Sequence, residues 1–84
     1  MRNTFPMRIR VLVSARNVSG EPDFYPCIVY CTQDQYDSGD HYEAARQQAI
    51  DEGYDPFLAY DENDTGLQRI LHKFGWTSVP TIQC

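Results

Sequence analysis

Residues 27–60, CIVYCTQDQYDSGDHYEAARQQAIDEGYDPFLAY, decide the fold. Pro26 opens Cys27–Thr32, a short and almost wholly apolar run that fits a strand covered on both faces. Side chains alternate along a strand, so Cys27, Val29 and Cys31 share one face and Ile28 and Tyr30 the other. Gln33–Gly39 is polar and reads as a loop. Asp40 is a good N-cap with Glu43 three residues on, the spacing of a capping box, and the helix expected is His41–Glu52, closed by Gly53. Tyr42, Ala45, Ala49 and Ile50 supply its apolar stripe, and the alanines let it sit close to a sheet. Pro56 then starts a strand over Phe57–Tyr60.

The same pattern extends outward in both directions. Met7–Ala15 (MRIRVLVSA) puts Ile9, Val11 and Val13 on one face and Arg8, Arg10 and Leu12 on the other, which reads as a strand at a sheet edge where arginines reach water. Asn17–Pro26, with Gly20, Pro22 and Pro26, reads as a loop. After a turn at Asp61–Asp64, capped by Asp64 or Thr65, Leu67, Ile70, Leu71 and Phe74 form the inward face of a second helix ending at Gly75. Ser78–Ile82 is the last strand, interrupted by Pro80. The expected fold is a small α/β domain ordered strand-strand-helix-strand-helix-strand, and connections of these lengths favour parallel neighbours in its sheet.

At 84 residues, 42% hydrophobic and 13% aromatic, the chain has material for one thin core, so residues 1–84 are taken as a single domain. Six tyrosines supply large rings that pack while their hydroxyls stay wet. No apolar run is long enough to cross a bilayer, and Met1–Pro6 lacks the apolar stretch of a signal peptide, so a cytoplasmic location is expected. Cys27, Cys31 and Cys84 form no CxxC pair, and free thiols in a reducing compartment are the expectation.

The formal net charge of −5 is unevenly spread. Arg2, Arg8, Arg10 and Arg16 occupy the first 20 residues without an acid. Asp34, Asp37, Asp40, Glu43, Asp51, Glu52, Asp55, Asp61, Glu62 and Asp64 face only Arg46 across the middle of the chain. Such a field disfavours nucleic acid and anionic membrane, and favours a basic protein surface or a metal ion. Asp61–Gly66 (DENDTG) has the oxygen side chains and sixth-position glycine of a calcium loop. Its twelfth position is His72, however, where a bidentate glutamate is required, and a capped turn explains the same residues. His41 and His72 belong to no ligand cluster and read as surface residues, His72 near a helix end. With no GxGxxG or Walker loop either, no cofactor and no metal are expected.

From Ile28 onward the chain resembles the glutaredoxin branch of the thioredoxin-like proteins. The strand Ile28-Val29-Tyr30-Cys31-Thr32 matches that family's "IVYCT" type. Arg69-Ile70-Leu71-His72-Lys73-Phe74-Gly75-Trp76-Thr77-Ser78-Val79-Pro80-Thr81-Ile82 resembles its helix, glycine and "T-V-P-x-I" strand start. The resemblance implies a cis peptide bond before Pro80; without it, Pro80 marks an edge or irregular strand. Where the family has C-x-x-C or C-x-x-S, this chain has Asp37-Ser38-Gly39-Asp40. Aspartates accept the hydrogen bonds of a helix start but cannot perform thiol exchange. The chain also stops at Cys84, where the family continues with a strand and a helix.

These features point to a degenerate thioredoxin-like scaffold that acts as a non-catalytic, acidic protein-binding module, an inhibitor or adaptor. Asp34, Asp37, Asp40, Asp61 and Asp64 are the expected contacts for a basic partner surface, with Tyr36 and Tyr42 as aromatic anchors and Gly75 and Pro80 in structural roles. A thiol-redox protein using Cys31 and a structural homo-oligomer are the alternatives.

Overall fold

The computed structural model describes residues 7–64, 72 and 76–84. Its elements are β1 (Met7–Arg16), β2 (Pro22–Cys31), α1 (Gln33–Ser38), α2 (Asp40–Asp51), β3 (Asp55–Asp61) and β4 (Thr81–Gln83). They form a small mixed α/β fold, with a four-stranded sheet in the order β3-β1-β2-β4. The second helix expected up to Phe74, and Gly75 at its end, lie outside the described residues.

β1 was expected at an edge, but it lies between β3 and β2. It pairs antiparallel with both, and among the described residues only the β2–β4 pair is parallel. The expectation of parallel neighbours holds for β2 and β4 but not for β2 and β3, which β1 separates; the segment after β1 is not a loop up to Pro26. Asn17–Gly20 turns the chain back on itself, and β2 starts at Pro22. Neither proline costs the β1–β2 ladder a donor. The Ile28 amide donates to Pro80 O on the β4 side, and by the two-residue repeat the positions of Pro22 and Pro26 face that way also.

The core lies between the sheet and α2. Ile9, Val11, Val13 and Ala15 of β1 and Tyr25, Cys27, Val29 and Cys31 of β2 line one face, against Ala45 and Ala49. The cysteine face read from the sequence is therefore the core face. Ile50, expected in the apolar stripe, is exposed, and His41 takes its place: residues 41, 45 and 49 make the buried row. On the opposite face Leu12 and Ile28 are also buried, and the Arg10 guanidinium lies 5.8 Å from the Trp76 ring centroid. At β3, Ser14 pairs with Leu58 and Ala15 with Pro56, so Phe57 is the extra residue of a bulge. The Arg16 guanidinium covers its ring at 5.5 Å.

Gln33–Ser38, read as a polar loop, is helix α1. Thr32 Oγ1 accepts from the Gln35 amide at 3.2 Å, and Gln35 Oε1 accepts from the Thr32 amide at 2.8 Å, which is a reciprocal capping box. The box expected at Asp40 and Glu43 is absent: Gly39 is the N-cap of α2, with no side-chain cap, and Asp40 is the first helical residue. Gly39 has φ 82°, which ends α1 in the left-handed conformation and turns the chain straight into α2. No cis peptide bond occurs among the described residues, so the cis linkage expected before Pro80 is not present. The final strand, expected over Ser78–Ile82, is Thr81–Gln83. No helix among the described residues is long and apolar enough to cross a membrane.

A Cβ at Gly39 would meet only Tyr42 Cδ2, at an ordinary 3.7 Å, so replacing this residue tests backbone conformation rather than space. Gly39→Ala should lower the unfolding free energy by about 1–2 kcal/mol, with Gly39→Asn less harmful, as read from urea midpoints.

Candidate functional site

The junction of α1 with α2 and the end of β3 build one polar cluster. Gly39 folds α1 back so that the Tyr36 ring stacks on His41, with centroids 4.7 Å apart and planes at 23°. The Tyr42 ring lies 4.0 Å from His41 on the other side of the sequence. Ala59 and Asp61 share the core-facing side of β3, since Val11 and Val13 are their register partners. The strand therefore delivers the Asp61 carboxylate to the start of α2.

Asp61 is 3% exposed and His41 1%. His41 Nε2 and Asp61 Oδ2 are 2.9 Å apart, and Tyr42 donates its hydroxyl to the same oxygen at 3.0 Å. The Asn63 amide donates to Asp61 Oδ1 at 2.9 Å. Asp64 Oδ2 accepts from the Asp61 amide at 2.8 Å and from the Tyr42 hydroxyl at 3.4 Å, so Asp64 caps backward onto β3. Asn63 Nδ2 donates to the Tyr36 hydroxyl at 2.7 Å, which ties the turn to α1.

Burial pushes the Asp61 carboxyl upward, but the His41 hydrogen bond, the Asn63 amide and the Tyr42 hydroxyl outweigh it and hold the group below the usual carboxylate range. Tyr42 is pushed well above its ordinary value, first by burial and then by its bond to Asp61 and the charges of Asp61 and Asp64. An ionised carboxylate only accepts, so the proton of the His41–Asp61 bond sits on Nε2. Nδ1 is then buried without a hydrogen-bond partner among the described residues. An acid-oriented imidazole is half of a nucleophile relay, but here the other ring nitrogen meets neither solvent nor a hydroxyl or thiol partner. The geometry is that of an anchor fastening α2 to β3.

Of the residues singled out in the sequence, Tyr36, Tyr42, Asp61 and Asp64 come together in this cluster. Asp34, Asp37 and Asp40 are exposed and stand outside this cluster; Asp37 accepts from Gln33 Nε2 at 2.9 Å. Asp61 is buried rather than presented on a surface. His41, read as a surface residue, is at the centre. Its spacing of four from Ala45 and eight from Ala49 was the signal that placed it on the inward row. Pro80 accepts from the Ile28 amide at 2.9 Å and joins β4 to β2.

The described residues contain no group of three or more His, Cys, Asp or Glu placed to hold a metal ion. Burial pushes the Cys27 thiol up to about 12. Cys31 is also raised, mainly by burial and further by Asp40, with partial offset from Cys84. These shifts disfavour the thiolate on which catalysis by a single cysteine depends. No family model matches the chain, and no curated protein or solved structure matches it.

Because the folded Asp61 carboxyl lies below its unfolded value, its stabilisation is complete above the ordinary carboxylate range and is lost as acid titrates the folded group. Asp61→Asn should cost about 2–3 kcal/mol at pH 7, since hydrogen bonds to a charged group are weakened. The gap to the parent protein should narrow as pH falls toward 3 in urea melts; a gap independent of pH would show that the charge of Asp61 contributes nothing.

Proposed function

We propose that this chain is a non-catalytic protein-binding module, an inhibitor or adaptor of thioredoxin-like topology working in the cytoplasm, that offers an acidic face to a basic protein surface. The observation that carries this reading is the Tyr36–Asn63 bond at 2.7 Å, which joins α1 to the turn after β3. This bond supports the reading that acidic segments far apart in sequence share one face. Asp34, Asp37, Asp40 and Glu43 are exposed along α1 and the first turn of α2, and Asp64 is half-buried beside them in the network. Arg46, the basic residue nearest in sequence, is paired to Glu43 at 3.1 Å. The half-buried rings of Tyr36 and Tyr42 supply contact area at low entropic cost. The likeness to thioredoxin-like proteins is supported by the order β2, helix, β3, and it concerns scaffold rather than chemistry.

The buried anchor separates folding from binding. Asp61 and Tyr42 belong to the fold, whereas Asp34, Asp37 and Asp40 are free to change. The triple variant Asp34→Lys, Asp37→Lys, Asp40→Lys should unfold within a few degrees of the parent. Immobilised parent protein should retain a basic polypeptide from lysate in a salt-sensitive manner, and the triple variant should lose it. Equal retention by both would overturn the acidic-face reading.

A second reading rests on β3. Among the described residues it is an edge strand, with Phe57, Leu58 and Tyr60 exposed at 48%, 58% and 36%. Such an edge is a template for pairing with another copy. In a homo-oligomer built this way, light-scattering mass should rise with protein concentration, and Leu58→Lys should return it to the monomer value. A constant monomer mass would remove this reading.

A further inference from the structure

Cys31 ends β2, and Cys84 directly follows β4. The two strands are parallel, with Val29 opposite Ile82 and Tyr30 opposite Gln83, so the next register position sets Cys31 beside Cys84. The Cys84 amide donates to Tyr30 O at 3.0 Å and carries the pairing to that position. Residues opposite each other in register on neighbouring strands point to the same face of the sheet. Each thiol bears on the proton affinity of the other. Neighbouring strands run about 4.8 Å apart, within the Cα separation of about 4.4–6.8 Å that a disulfide spans.

We propose that Cys31 and Cys84 are a redox-sensitive thiol pair that closes, on meeting a low-molecular-weight disulfide, into an intramolecular bond fastening β4 to β2. Exposure sets the order of events, since Cys84 is exposed and Cys31 buried. Because burial and the neighbouring Cys31 push the Cys84 thiol up to about 11, and Cys31 is raised as well, the exchange is slow at neutral pH and quickens in alkali. Cys84, deprotonated, attacks one sulfur of the small disulfide and displaces its first thiolate, leaving a mixed disulfide on Cys84. Cys31, deprotonated in turn, attacks the Cys84 sulfur and displaces the second thiolate. The two protons lost by the protein convert both leaving groups to thiols. The protein pair is oxidised by two electrons, and one small disulfide is reduced to two thiols. Asp40 bears on both thiols, and a cationic oxidant suits such surroundings.

The test is to treat the reduced protein with cystamine, remove the reagent, unfold and alkylate. The parent should lose two of its three alkylatable thiols, with Cys27 alone labelled, stay a monomer on a non-reducing gel, and melt at least about 5 °C higher until dithiothreitol is added. Cys84→Ser, at an exposed site, should keep both remaining thiols and show no shift in melting. A parent that stops at the Cys84 mixed disulfide with Cys31 still labelled would overturn the proposal, as would one that forms only an intermolecular dimer.

Discussion

The buried carboxylate of Asp61 is the constraint on which the other parts depend. It accepts from an imidazole, a phenol and a backbone amide. A charged group removed from water is tolerable only when its lone pairs are filled in this way. Because the donors come from the start of α2 and from the turn after β3, satisfying the charge fixes where the helix begins over the sheet. The alanines can then approach the sheet closely, and the Tyr36–Asn63 bond follows from the same placement.

The sheet adds a second level of organisation. β1 is paired on both sides, and its neighbours β2 and β3 both run against it. β2 is longer than its apolar stretch, since its two prolines fall where the β1 ladder needs no donor. β4 attaches at the far edge through the Ile28–Pro80 bond and the Cys84 amide. The short edge strand is thus held close to Cys31, and a bond there would act on the element with the fewest ladder contacts of its own.

The polar cluster and the exposed acids have different physical roles even though their residues are interleaved in sequence. Inside the cluster, Asp61 and Tyr42 have shifted proton affinities because they are desolvated and coupled. Asp34 and Asp37, in a water-facing short helix, are free to act over distance through their charge. Separation of this kind lets a small domain vary its face without losing its core.

Several parts of this arrangement were legible from residue order alone. The alternation Ile9, Val11, Val13 placed the core face of β1, Cys27, Val29 and Cys31 placed that of β2, and Ala45 with Ala49 placed that of α2. Those are local periodicities, and a period of two or of 3.6 residues is a property of the chain itself. Strand direction and order were not legible, because pairing is settled by contacts between distant segments. Nor was the helix Gln33–Ser38, which has no buried residue and stands on its capping box and the Gly39 turn. His41 and Asp61 looked like two surface groups 20 residues apart, and Cys31 and Cys84 like unrelated thiols. What the chain alone determined was which side chains face inward. Only the tertiary structure decided which of them meet, since burial converts a solvated acid into an anchor solely when a second element brings its donors.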